Sequence, residues 1–170
     1  PVHRFGEGIG LRLTREEAIR AADEYLKQRQ VDPRRYQRVA GLRENVDPQA
    51  VKYILEHRSV EETDHIYRQA TRLLLWDVRY FRPLEKEEHL VFVDAAAGGV
   101  FAYRHLLDEN APGATLSAEE ARARAAAFLE QQSYRLIDFD LQETKVEKRK
   151  ARTDYALVWQ AKPGKPGSYM

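Results

Sequence analysis

The pattern of the stretch from Leu13 to Leu26 recurs 103 positions further on. In "LTREEAIRAADEYLKQR", Thr14 followed by Glu17 is a capping-box pattern, a hydroxyl for the first turn and a carboxylate that reaches back. Ala18, Ala21, Ala22, Tyr25 and Leu26 follow at helical spacing, which predicts one apolar stripe on a helix running to about Arg29. In "LSAEEARARAAAFLEQQ", Ser117 and Glu120 repeat the box, and Ala121, Ala125, Phe128 and Leu129 repeat the stripe. Leu13, Glu16, Glu17, Ala18 and Leu26 have counterparts in Leu116, Glu119, Glu120, Ala121 and Leu129. A stripe of this width must be covered by another layer, so the chain needs two places to bury a helix.

The covering layers are legible as extended segments. "YQRVAGL" from Tyr36 follows the first helix and "YRLIDFDLQETKV" from Tyr134 follows the second. Each half then reaches a tryptophan strand, "LLWDVRYF" around Trp76 and "DYALVWQA" around Trp159. The first half holds about 20 more residues, placed between Asp47 and Thr71, where Pro48 opens "PQAVKYILEHR" and "VEETDHIYRQATRLL" follows. The expected fold is α+β, two tandem units of a helix on an antiparallel sheet, the first with a helical insert at about 47–71. Residues 1–12 form a lead-in, 13–112 the first unit and 113–170 the second, whose sheet is expected to be incomplete, with an unpaired edge open to dimerisation or strand addition.

The segment "LLLWDVRYFRPLEKEEHLVFV" separates structure from function. Strand alternation puts Trp76, Val78 and Tyr80 on one face and Asp77, Arg79 and Phe81 on the other. Pro83 closes the strand, "LEKEE" is a solvated connection, "HLVFVD" returns, and "VFAYRH" pairs back after the turn "AAAGG", a three-stranded meander. The alternative is a peptide groove contacted by Trp76, Arg79 and Arg82, whose guanidiniums offer forked donors to a carboxylate. Arg79 has as competing partners the neighbours of Asp77, or Glu85, Glu87 and Glu88.

Composition narrows the chemistry. A net charge of +1, from 28 basic and 27 acidic side chains interspersed along the chain, is not the footprint of a nucleic-acid binder. With no cysteine there is no thiolate nucleophile, disulfide or Cys-ligated zinc. His3, His57, His65, His89 and His105 are dispersed, with no i, i+4 pair, so no metal site is expected. Ser59, Ser117, Ser133 and Ser168 sit in no nucleophile elbow, "GEGIG" at Gly6–Gly10 lacks the lysine of a phosphate loop, and the acidic pairs fall at helix starts and turns. No catalytic residue and no cofactor are expected. Apolar runs are far shorter than the ~20 residues that cross a bilayer, and a start at proline suggests a piece of a longer protein.

The runs "LTREEAIRAADEYL", "WDVRYFRPLEKEEHLVFVD", "FAYRHLLDENAPGATLSAEEARARAAAFL" and "RTDYALVWQ" together span most of residues 13–160. They resemble the water-exposed region ahead of the catalytic domain in some bacterial, notably acidobacterial, CPBP (CAAX-type) intramembrane metalloproteases. Each half also resembles a PepSY- or cystatin-like unit, a helix laid over antiparallel strands. The resemblance implies a non-catalytic module of a membrane protein with a regulatory, substrate-presenting or assembly role. Its partners would be the membrane-embedded domain of the same protein and a peptide or protein ligand. A free-standing peptide-binding or inhibitor-like module is the alternative, and a small enzyme a third. "EEARAR" at Glu119–Arg124 and "FAYRH" at Phe101–His105 match the form of that superfamily's membrane motifs, but in reversed order and outside any apolar span, so they carry no catalytic role.

Overall fold

The structure, a computed structural model of the chain, describes residues 6, 10–70, 72–132 and 134–165, with backbone alone for 67–70. It is α+β and divides into two compact units, Pro1–Leu107 and Asp108–Met170. The join falls a few residues before the expected boundary at 112. Asp108 and Ala111 give their carbonyls to Arg152 Nη1 at 2.7 and 2.9 Å, and Gly113 N–H donates to Ala151 O, which ties this segment to the second unit.

In the first unit, helix α1 spans Arg15–Gln28 with Thr14 as N-cap. The capping box is made: Glu17 N–H donates to Thr14 Oγ1 at 3.2 Å, and Thr14 N–H donates to Glu17 Oε2 at 2.8 Å. The helix ends on Gln30, at φ 62°, the left-handed position from which Val31 N–H returns to Leu26 O. A 3₁₀ turn at Pro33–Arg35, capped by Asp32, leads into strand β1, Gln37–Glu44. Helices α2, Pro48–Leu55, and α3, Val60–Ala70, form the insert, with Asp47 capping α2 and Pro48 in its first turn. Strands β2 (Leu74–Phe81), β3 (Glu88–Asp94) and β4 (Val100–Leu106) follow. All pairings are antiparallel in the order β1-β2-β3-β4, so β1 adds a fourth strand to the expected meander.

The core lies between α1 and this sheet. Ala18, Ala22 and Leu26 are wholly buried against Val78, Tyr80, Val91 and Val93, with Trp76 packed at the margin. Burying each of the larger side chains contributes roughly 1.5–3 kcal/mol. Small alanines on α1 let the helix approach closely enough for the Tyr80 hydroxyl to donate to Asp23 Oδ1 at 2.7 Å. Burial, then Asp23, raises the pKa of that phenol. On the opposite face Phe92 is 2% exposed, and the guanidiniums of Arg43 and Arg104 stand 4.9 and 5.4 Å from its ring. The β3–β4 turn closes on Gly98 at φ 80°, where a Cβ would press on Leu13 at 3.3 Å.

The second unit, taken by itself, opens with the same element order. Helix α4, Ala118–Gln131, is capped by Ser117 with the capping box again formed. A 3₁₀ turn at Leu136–Asp138 precedes strand β5, Phe139–Lys148, and β5 pairs antiparallel with β6, Thr153–Ala161. An extended reading from Tyr134 was therefore too early: Leu136, Ile137 and Asp138 coil once before the strand begins. Among the described residues this sheet has two strands. The expected segments after Lys165 and at Thr71, and most of residues 1–9, lie outside the described residues.

Candidate functional site

The three residues predicted as peptide contacts do not converge. Trp76 faces α1, and its indole Nε1–H donates to Leu13 O at 3.1 Å, a packing role. Arg79 lies on the opposite face, where its Nε–H donates to Glu88 Oε2 at 2.7 Å and a second bond joins Nη2 to Oε1, a bidentate pair. Its guanidinium carbon also stands 5.0 Å from the Phe81 ring. Arg82 sits beyond the strand end, with Nη2 donating to Glu87 Oε2 at 2.9 Å and ion-paired with Glu85 Oε2 at 2.6 Å, and its guanidinium 5.1 Å from the Tyr36 ring.

Arg82 thereby borders a cluster that sequence spacing did not disclose. Antiparallel pairing of β3 with β4 sets His89 directly opposite His105. Their rings stack with centroids 4.2 Å apart and planes 19° from parallel. Glu87, just before β3, accepts from His105 Nε2 at 2.8 Å through Oε1, and the same oxygen is 4.0 Å from His89 Nε2. Arg82 holds the other carboxylate oxygen. His89 is 1% exposed and lies between two phenols, with Nδ1 2.8 Å from Tyr103 Oη and Nε2 3.1 Å from Tyr36 Oη. A neutral imidazole has one donor and one acceptor, so one phenol donates to His89 and the other accepts from it.

The electrostatics follow from burial. Desolvation, then the nearby His105 and Arg82, lowers the His89 pKa to about 4, with Glu87 opposing. The hydrogen bond from His105 holds Glu87 below the usual carboxylate range, and burial raises Tyr103. His89 is therefore neutral near pH 7, a state in which imidazole nitrogen has a lone pair to offer. Among the described residues, Glu87, His89 and His105 are one group whose ligand atoms, one from each, lie within 4.8 Å of one another. His57 and His65 stand apart from it on the helical insert, with His57 Nδ1 2.8 Å from Tyr53 O. His3, Ser133 and Ser168 lie outside the described residues.

A second candidate surface belongs to the other unit. Strand β6 pairs with β5 along one edge, and no further strand among the described residues pairs with its opposite edge, where Thr153 N–H at the start of the strand donates to Ala114 O at 3.4 Å. Open grooves flank the helix–hairpin layer. One of about 650 Å³ is lined by Arg122, Ala126, Leu141 and Leu157, and one of about 320 Å³ by Leu129, Tyr134, Phe139 and Trp159. Phe128, Tyr134, Ile137, Val146 and Val158 are exposed. No helix among the described residues is long and apolar enough to cross a membrane. Comparison with protein-family models, with curated proteins and with solved structures finds no match to this chain.

Proposed function

We propose that the chain is a non-catalytic binding module whose second unit accepts an extended polypeptide as an added strand along β6. The observation that carries this reading is a difference between two units that begin alike. Helix α4 starts 103 residues after α1 (118 against 15), and the 3₁₀ turns keep the same offset (136 against 33). The strand registers extend the parallel: Arg38 pairs with Tyr80, and Leu141, 103 positions on, pairs with Trp159. Trp159 thus corresponds to Tyr80 rather than to Trp76. Tyr155 then takes the place of Trp76, and its hydroxyl donates to Leu116 O at 2.6 Å as the Trp76 indole donates to Leu13 O. These shared contacts support a duplicated unit with the α2–α3 insert in the first copy.

In the first copy β3 covers the outer edge of β2. In the second no strand among the described residues covers the matching edge of β6 beyond Thr153, whose N–H meets Ala114 O, and the edge lies beside an apolar groove. The occupant that fits is a strand of β3's own character, with apolar residues alternating toward the helix, paired antiparallel through its backbone. The resemblance noted above supports a place for the module in the water-exposed region of a membrane-embedded CPBP-type protease, where such a strand would come from a substrate or from the same protein. Trp159 reports directly on occupancy. Titration with a synthetic peptide of the Glu88–Asp94 sequence is expected to give a saturable change in tryptophan fluorescence, retained in Trp76→Phe and lost in Trp159→Phe. Absence of saturation overturns strand addition, and concentration-dependent dimerisation without peptide binding assigns the edge to a second copy instead. The protease context has its own check in the gene, where apolar spans bearing E-E-x-x-x-R and two histidine motifs are expected downstream.

A further inference from the structure

We propose that Glu87, His89 and His105 form a binding site for a divalent transition-metal ion of the imidazole-preferring class, with Zn²⁺ as its simplest representative. The donor set is two imidazoles and one carboxylate, which suits Zn²⁺, Ni²⁺ or Cu²⁺ and not the oxygen-seeking Mg²⁺ or Ca²⁺. Three protein ligands leave a fourth position for water or an incoming group. The β3–β4 register brings the two histidines together, and the start of β3 adds the carboxylate.

Two of the three ligands are already braced from behind, as metal ligands are. Tyr103 Oη holds His89 Nδ1 at 2.8 Å, which leaves Nε2 facing the Glu87 side at 4.0 Å. Arg82 Nη2 holds Glu87 Oε2 at 2.9 Å, which leaves Oε1 toward both rings. His105, on the edge strand β4 and with its side chain 36% exposed, opens the site to solvent.

The ring geometry specifies what has to move. An ion bound to imidazole lies in the ring plane, and two planes only 19° from parallel, with centroids 4.2 Å apart, do not share a point between the rings. Ligand atoms around a tetrahedral ion at ~2.0–2.2 Å are about 3.3–3.5 Å apart, closer than the 4.8 Å span here. His105 is the ring that turns, because its one hydrogen bond is to Glu87 Oε1, itself a ligand of the ion. Binding also takes His89 Nε2 from Tyr36 Oη, now 3.1 Å away. No electron is transferred in binding; a neutral ring with its proton on the ligand nitrogen shifts it through solvent to its other nitrogen, and an imidazolium releases one proton to solvent.

The test is calorimetric titration of the whole chain with ZnCl₂ at pH 7, with thermal unfolding measured in parallel. One equivalent is expected to bind and raise the unfolding temperature. Both effects are lost in His105→Ala, whose side chain is outside the α1–sheet core, and are retained in the His57→Ala/His65→Ala double variant. Arg82→Ala, which removes a brace and no ligand, weakens the affinity by roughly 10–100-fold. Cobalt substitution adds a ligand-sensitive signature, visible absorption of four-coordinate Co²⁺ that His105→Ala abolishes. Absence of saturable binding, or one-equivalent binding that survives His105→Ala unchanged, overturns the site and leaves a hydrogen-bonded cluster.

Discussion

His89 is where burial and ionisation conflict most sharply. Its pKa is lowered to about 4 in the folded chain, against about 6.5 for an unfolded histidine. The unfolded state therefore binds the proton first as pH falls. The stability associated with neutral His89 is fully present above pH 6.5 and is lost progressively down to pH 4. The loss is on the order of 2–3 kcal/mol. The facing groups are Tyr36, Tyr103, Arg82, Glu87 and His105, and of these Glu87 alone favours the imidazolium. Denaturant midpoints between pH 7 and 4 are expected to fall, with the part due to this residue absent in His89→Gln. Leu84 offers the opposite sign: a fully exposed leucine at φ 64° in the turn that Glu85 N–H closes on Arg82 O. Left-handed backbone costs a side-chain-bearing residue ~1–2 kcal/mol. Leu84→Gly is expected to stabilise the chain by about 1 kcal/mol after the added unfolded-state freedom is discounted, read from the same midpoints.

Elements whose signals are local were legible in the sequence. Thr14 with Glu17 and Ser117 with Glu120 named both helix starts, Pro48 named a third, and Pro83 marked the end of β2. Alternation around Trp76 assigned its face correctly. The histidine pair was missed because it is a property of two strands: residues 16 apart in sequence meet only once the β3–β4 turn sets the register. Extending both strands outward from the "AAAGG" turn would have brought His89 near His105. The bulge between Phe92 and Val93, which shifts the pairing by one residue, defeats a simple count. Arg79 and Arg82 each have an acidic partner, Glu88 and Glu87, among the competitors that the sequence offers within a few residues of Pro83. The two caps also allow a comparison. Thr14→Ala and Ser117→Ala each remove a hydroxyl that satisfies a first-turn N–H, at a cost of about 1 kcal/mol. Thr14→Ala is expected to lower the stability of the first unit alone, and Ser117→Ala that of the second, as seen by amide exchange resolved along the chain.

For the whole molecule, the two units are unequally built. Helix α1 buries Ala18, Ala22 and Leu26, and α4 buries Ala121 alone among the described residues. A layer with one buried helical residue and two strands opens more readily than one with a helix across four strands, so α4, β5 and β6 should exchange their amides first. That inequality has a direct consequence if the second unit is a receptor for an added strand: the bound strand completes the layer and slows its opening. Amide exchange of the intact chain, with and without the Glu88–Asp94 peptide, reads both at once. Protection is expected to rise across Thr153–Ala161 and the facing turn of α4, with the first unit unchanged. Equal exchange in β6 with and without saturating peptide, or new protection confined to β1 or β4, would contradict strand addition at this edge.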